Sequence, residues 1–199
     1  NGSSMEFNAP NVIAFNSDPF VVEFDVKFDT LANDVSYIIM TNITTTYGLN
    51  YEWAFCLKNN CARFYYGNRG SGYADLYLHW PDDTILVPNT IYTVTFQRTI
   101  DNKFHCYLNG KRGTKYSFAP YGSNPVFGAP VVGDYTFTIN LGNIGKPIRL
   151  GNFFAGDQFL GELSNMRVII GQDLYKKDTF ILPKYPSRDK YRYYRMKIN

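Results

Sequence analysis

Alternation of apolar and polar side chains constrains this chain more than any other feature, and it is plainest across residues 84–112. Residues 91–98 (IYTVTFQR) and 104–108 (FHCYL) each place an apolar side chain at every second position, with a turn-rich loop at 99–103 between them and Asn109-Gly110 after the second run. In a strand, successive side chains point to opposite faces. Tyr92, Val94, Phe96, Phe104, Cys106 and Leu108 are therefore predicted to look inward, and Thr93, Thr95, Gln97, His105 and Tyr107 outward. A hairpin this long cannot bury its inner face by itself, so other strands must supply the facing layer.

Residues 20–28 repeat the pattern most cleanly, with Phe20, Val22, Phe24, Val26 and Phe28 on one face and Glu23, Asp25 and Lys27 on the other. Shorter apolar runs predict strands at 12–15, 37–40, 76–78, 135–139, 148–150 and 159–170, and a second hairpin joins 51–57 to 61–66 through Lys58-Asn-Asn60. Residues 67–88 and 117–134 are broken by Gly and Pro and read as long surface loops. One helical turn at 174–179 is the single expected departure from strand and loop. The 16 Phe and 17 Tyr suit strands. The fold class expected is all-β, an antiparallel two-sheet β-sandwich: one domain over residues 1–186, followed by a basic, tyrosine-rich strand or docking tail at 187–199.

Charged residues make up 19% of the chain, and no run approaches the roughly 18 apolar residues that cross a bilayer, so membrane insertion is not expected. Net charge is +3, but residues 184–199 alone carry a net +5, which leaves −2 for the rest. Tyr interleaves with Arg and Lys there in a way that can contact nucleic acid. The same alternation, with Arg192, Tyr194, Met196 and Ile198 on one side, makes a last strand or docking segment the preferred reading and nucleic acid an unexpected partner. Cys56, Cys61 and Cys106 show no metal spacing. Cys56 and Cys61 bracket a hairpin turn where a disulfide is conceivable, and buried free thiols are the expectation. Asn42-Ile-Thr44 is a glycosylation sequon.

Val21-Val-Glu-Phe-Asp-Val26, Phe64-Tyr-Tyr-Gly67, Thr90-Ile-Tyr-Thr-Val-Thr-Phe-Gln-Arg98, Cys106-Tyr-Leu-Asn-Gly110, Ile148-Arg-Leu-Gly151 and Phe159-Leu-Gly-Glu-Leu-Ser-Asn-Met-Arg167 follow one another in a telling order. Across residues 20–186 that order resembles the concanavalin A-like superfamily, with laminin-G-like and pentraxin-like jelly rolls nearest. Tyr92 stands where those domains usually have Trp followed by His. The ending, Leu163-Ser-Asn-Met-Arg-Val-Ile-Ile-Gly-Gln-Asp-Leu-Tyr175 with Phe180-Ile-Leu-Pro183 and Pro186, resembles that of laminin-G-like modules on bacteriophage tail and other virion proteins. It departs from them at Asp173-Leu, where a small residue and Arg usually precede Tyr.

Glycoside hydrolases of that superfamily keep two or three carboxylates on one strand face, since retaining cleavage needs an acid and a nucleophile about 5 Å apart. Glu23-Phe-Asp25 is the one such pair here. The next outward residue is Lys27 and the third carboxylate is missing, so the pair reads as a solvated strand face. His79 and His105 lie in no metal or triad spacing. No catalytic residue and no required cofactor is expected, and the chain reads as a non-enzymatic binding module.

Sugars offer C–H faces to aromatic rings and hydroxyls to planar polar groups. If the hairpin strands are neighbours, as the resemblance implies, Arg63, Tyr65, Gln97, His105 and Tyr107 form one carbohydrate-binding sheet face, unless another domain, a subunit or the long loops cover it. The other candidate is a loop set, Arg69, Tyr73, Tyr77, His79 and Trp80 with Tyr121, which would otherwise tuck inward as a satellite core. A structural calcium, common in the superfamily and held by acidic and carbonyl oxygens, would fall to Asp18, Asp134 and Asp157. The resemblance implies a virion or extracellular module whose partners are a glycan or host-surface receptor, other virion subunits, or its own copies in a homo-oligomer. A purely structural oligomerisation or decoration domain is the alternative.

Overall fold

The computed structural model describes residues 4–7, 13–32, 35–42, 53–68, 72–119, 128–142, 147–151, 159–181 and 196–198. Its strands are β1 (Ser4–Phe7), β2 (Phe20–Phe28), β3 (Tyr37–Thr41), β4 (Trp53–Lys58), β5 (Cys61–Asn68), β6 (Gly72–His79), β7 (Ile91–Arg98), β8 (Lys103–Leu108), β9 (Lys111–Arg112), β10 (Lys115–Ala119), β11 (Val131–Val132), β12 (Tyr135–Thr136), β13 (Ile148–Gly151), β14 (Gly161–Ile170) and β15 (Met196–Ile198), with one short 3₁₀ turn, Pro81–Asp83. They form an eight-stranded sheet, β1-β13-β3-β4-β5-β6-β10-β11, and a seven-stranded sheet, β12-β8-β7-β2-β14-β15 with β9 on β8. All pairings are antiparallel. The fold is an all-β sandwich, as the alternation requires.

The central hairpin pairs Val94 with Leu108 and Phe96 with Cys106. On the other side of β7, β2 sets Val22 against Phe96 and Phe24 against Val94. The six residues predicted to face inward all belong to the main core. The layers meet through aromatic rings: Phe55 of β4 lies 5.0 Å from Phe96 of β7, and Phe64 of β5 lies 4.8 Å from Phe104 of β8. Phe15 wedges between Phe20 at 4.4 Å and Trp53 at 5.0 Å. Such pairs add to the area they remove from water.

Arg98 continues the inward row of β7, and only 1% of it is exposed. Its guanidinium donates to the carbonyls of Asn16 (3.3 Å) and Ile139 (3.0 Å) and to Asn102 Oδ1 (2.6 Å), and sits 5.4 Å from the Phe137 ring. It closes one end of the core by tying the segments at Asn16 and Ile139 to the end of β7 through charge-assisted bonds.

Several strand limits differ from those read in the sequence. Ile13 to Phe15 form no strand, although Asn16 makes a bridge to Leu141. The stretch 67–88 is not a loop throughout, because β6 fills eight residues of it and pairs with all of β5. Part of 117–134 belongs to β10, and only Tyr135 and Thr136 of the stretch 135–139 are strand. No helical turn forms at 174–179. Within the basic tail, β15 pairs with β14 from Gly161 to Leu163. Asn42 of the sequon is buried, and its Oδ1 accepts from the Trp53 N–H at 2.7 Å.

Phe55 touches both layers of rings, so Phe55→Ala is expected to lower stability by about 3–5 kcal/mol in urea unfolding. A loss below about 1 kcal/mol would show that the layers do not depend on this contact.

Candidate functional site

The proposed sheet-face set is split between the two sheets. β5 neighbours β4 and β6, not β7 or β8. Arg63 and Tyr65 therefore lie on the outer face of the eight-stranded sheet, and Gln97, His105 and Tyr107 on that of the seven-stranded sheet.

The seven-stranded face is covered by the chain itself. Residues 171–180 run across it as an extended strap. Gln97 Oε1 accepts from the backbone N–H groups of Leu174 (3.1 Å) and Tyr175 (2.9 Å), and its Nε2 donates to the Tyr175 carbonyl (2.7 Å). Tyr107 donates to the same carbonyl at 3.1 Å. Phe180 stacks on Tyr175 at 3.6 Å, and both rings meet Tyr107 edge-on. The Arg112 N–H donates to the Asp178 carbonyl at 2.7 Å, and the Phe180 N–H to that of Gly110 at 2.9 Å.

Beneath the strap, Glu23 is fully buried. Its carboxylate accepts from Arg167 (2.8 Å), Tyr175 Oη (2.6 Å) and Thr95 Oγ1 (3.1 Å). Burial and the neighbouring Glu23 together push the Tyr175 phenol well above its ordinary range. Asp25 accepts from Thr93 and Asn165, each at 2.5 Å. The Glu23–Asp25 pair is thus not the solvated face expected from the sequence: three donors and the strap occupy Glu23, leaving no approach for a sugar ring.

The eight-stranded face is buried as well. Arg63 makes a fork to Asp75 with both bonds at 2.9 Å and also donates to Ser36. Its guanidinium lies 5.8 Å from the Tyr65 ring and 6.0 Å from the Tyr77 ring, and each of those tyrosines is 1% exposed. Tyr77 is thus a strand residue packed on Arg63 rather than a loop residue. Of Tyr73 the backbone alone is described, opposite Gly67 in β6. Arg69, Tyr121 and Asp157 lie outside the described residues.

Asp134 lies against His105 Nε2 at 3.4 Å and the Arg112 guanidinium at 3.9 Å. The Asp18 N–H caps Phe15 at 3.0 Å. No group of three or more His, Cys, Asp or Glu gathers to hold a metal among the described residues. Asp18 and Asp134 belong to no such group. The three cysteines are free thiols.

What remains of the loop set is His79 and Trp80, and the structure brings them together with residues the sequence reading passed over. At the end of the sandwich opposite Arg98, the β4–β5 turn and the segment after β6 enclose a pocket of about 300 Å³, lined by Asn59, Asn60, Cys61, His79, Trp80, Asp83 and Thr84. Asn60 clamps the two segments: its Nδ2 donates to the Thr84 carbonyl and its Oδ1 accepts from the Leu86 N–H, both at 2.8 Å. Thr84 Oγ1 donates to the Pro81 carbonyl at 2.6 Å, which leaves the hydroxyl oxygen able to accept.

Asp83 accepts from Lys115 at 2.7 Å, and that contact draws its carboxyl below the usual range. His79 Nε2 lies 3.0 Å from Ser117 Oγ and its Nδ1 3.6 Å from Cys61 Sγ. Burial lowers the His79 pKa and raises that of the Cys61 thiol to about 11, so the pair is a neutral imidazole beside a protonated thiol rather than an activated nucleophile. Behind them Gly113 lets the β9–β10 corner close in, since a Cβ there would lie 2.0 Å from the His79 carbonyl oxygen.

Asn59, Asn60, Asp82 and Asp83 all have positive φ, between 50° and 57°: of the nine such non-glycine residues described, Asn59, Asn60 and Asp83 line this one pocket and Asp82 precedes Asp83 in the chain. Asn and Asp tolerate this conformation better than other side chains do. A doubled Asn in a hairpin turn and Asp-Asp after Pro were the signals available in the sequence.

No protein-family model matches the chain, and no curated protein sequence matches it. Among solved structures it is similar to the receptor-binding domain of botulinum neurotoxin D, with a TM-score of 0.50 and 16% identity over 88% of this chain and 39% of that one. A structure of the botulinum neurotoxin serotype D binding domain gives a TM-score of 0.50 and 17% identity over 89% and 38%. This chain thus spans about two fifths of their length, and the likeness is one of fold.

Two predictions arise from these contacts. Gln97→Ala removes three bonds to the strap and is expected to cost about 1–3 kcal/mol and to speed proteolytic cleavage within 171–180; unchanged cleavage would mean the strap is held elsewhere. His105 is kept neutral chiefly by burial, against the pull of Asp134. Its folded pKa lies below the unfolded 6.5, so below about pH 7 the unfolded chain binds more protons and stability falls with acidification. In His105→Gln the loss between pH 7.5 and pH 5 should be smaller, as read from urea midpoints.

Proposed function

We propose that this sandwich is a non-catalytic recognition module that holds a glycan in the pocket beside His79, Trp80 and Asp83. The observation that carries the reading is the convergence there of the Asp83 carboxylate, the Thr84 hydroxyl and the Asn59 and Asn60 carboxamides, three of the four on left-handed turn residues, while both outer sheet faces are buried. Hydroxyl-rich ligands need such closely set polar partners on rigid supports. Backbone held in a sparsely populated region is a recurrent mark of binding sites.

Catalysis by the carboxylates finds no support, since Glu23 is enclosed by its donors. The solved structures of the same fold are named as receptor-binding or binding domains, a use of this sandwich for recognition. The laminin-G-like strand order and the ending at 163–186 support a finer reading: a virion-associated or otherwise extracellular module that attaches a larger assembly to a host-surface glycan.

The double variant Asp83→Ala/Thr84→Ala alters two side chains at the rim. It is expected to leave the protein folded, with a modestly lower melting temperature from Ala at a left-handed position and loss of the Thr84–Pro81 bond, and to weaken binding to target cells or arrayed glycans at least about tenfold. Binding that survives unchanged would remove this pocket from the reading.

A further inference from the structure

The hydrogen-bonding capacity that the polar pocket keeps for a ligand is one-sided. Thr84 Oγ1 gives its proton to the Pro81 carbonyl, so towards anything that enters it acts as an acceptor. Asn60 is committed at both ends of its carboxamide, to the Thr84 carbonyl and to the Leu86 N–H. The neutral His79 has one ring nitrogen against Ser117 and the other against Cys61. Trp80 Nε1 is a donor with no partner among the described residues, but it is buried, so a molecule in the pocket cannot reach it. That leaves the Asn59 carboxamide as the further source of N–H groups in the lining.

The charges point the same way. Asp83 is the one ionised side chain among the described residues of the lining, and the cations nearest to it are engaged: Lys115 by Asp83 itself and Lys111 by Asp82. Lys58 belongs to a separate groove of about 230 Å³ on the far side of the Asn59-Asn60 turn, lined also by Leu31, Tyr37, Ile85 and Leu86, and its charge acts on Asp75. An acidic ligand in the pocket would have to share Lys115 with Asp83, which leaves one of the two anions uncompensated in a part-enclosed site.

We infer that the pocket selects its sugar by charge: it takes a neutral sugar whose hydroxyls donate to Asp83 and Thr84 and rejects uronic, sialic and sulfated sugars, with Asp83 as the discriminating residue. The inference rests on the glycan reading of the pocket. A carboxylate or sulfate brings acceptors to a wall that offers mainly acceptors, whereas every hydroxyl brings a proton. Hydroxyl bonds to an ionised carboxylate are the stronger kind, so the group that repels an acid also holds the neutral ligand.

The test separates charge from shape with uronamides, the neutral counterparts of uronic acids. Methyl glycosides of glucuronic, galacturonic and mannuronic acid are titrated into the intact protein at low salt beside their C6 amides, and binding is followed by NMR chemical shifts. The expected result is an amide bound at least about tenfold more tightly than its acid. In Asp83→Asn that ratio should fall towards one. This variant stays folded, because Asn tolerates the left-handed backbone at position 83 and an exposed ion pair is a small loss. Acids that bind as tightly as their amides, or a ratio that Asp83→Asn keeps, overturn selection by charge, and the pocket itself still stands if Asp83→Ala/Thr84→Ala abolishes that binding. Failure of every glycoside to bind overturns the glycan reading and this inference with it.

Discussion

The contact between two rows of aromatic rings, Phe55 and Phe64 on one sheet and Phe96 and Phe104 on the other, fixes the rest of the molecule. A strand has a side-chain period of two, so turning those rings inward leaves no choice for their neighbours. Thr95, Gln97, His105 and Tyr107 must face out, as must Glu23 on the adjoining β2. A one-residue slip in either strand would bury these polar groups in the core and expose the phenylalanines. The inner packing thereby also decides which groups the outer faces present.

Those outer faces are not left to water, and that shapes what they can do. The strap at 171–180 lies on Gln97 much as another strand would, with the carboxamide standing in for a backbone N–H and C=O pair. Glu23 is buried, and a buried carboxylate is costly unless donors surround it. Arg167, Tyr175 and Thr95 supply them. A catalytic acid needs an approach for substrate, and the strap and three donors leave Glu23 none. On the opposite sheet the Arg63–Asp75 fork between Tyr65 and Tyr77 follows the same logic, with burial raising the Asp75 carboxyl while Arg63 draws it down. The residues that looked most like a sugar platform are the ones that satisfy buried polarity.

How far the sequence could be read depended on how each element is stabilised. The central hairpin and β2 were legible almost to the residue, because their inward positions other than Arg98 are apolar and their outward ones mostly polar. β6 was largely missed. Its inward set includes the small Ala74, its outward set includes Asp75, and Asp75 is tolerable only because Arg63 on β5 faces it diagonally, a cross-strand fact that no local window contains. Arg98 escaped notice for a similar reason: a charged residue in an inward row reads as the end of a strand, whereas here it plugs the end of the core by binding carbonyls from Asn16 and Ile139. The sheet-face set was wrong as a set because alternation gives the face of each residue but not which sheet its strand joins.

The pocket end shows the converse. Its position depends on turn residues, which carry weak periodic signals but strong conformational ones. Asn59, Asn60, Asp82 and Asp83 occupy a region of backbone space that costs energy for any side chain bearing a Cβ, and exposed ion pairs such as those of Lys111 with Asp82 and Lys115 with Asp83 offset little of that cost. The Asn60 clamp does more, because it ties the turn to both Thr84 and Leu86 in a part-buried setting. It holds Asp83 and Thr84 at the mouth of one depression and Ile85 and Leu86 at the edge of the other. A single side chain thereby couples the pocket to the neighbouring groove, and the local strain is retained where Asp83 and Thr84 are presented.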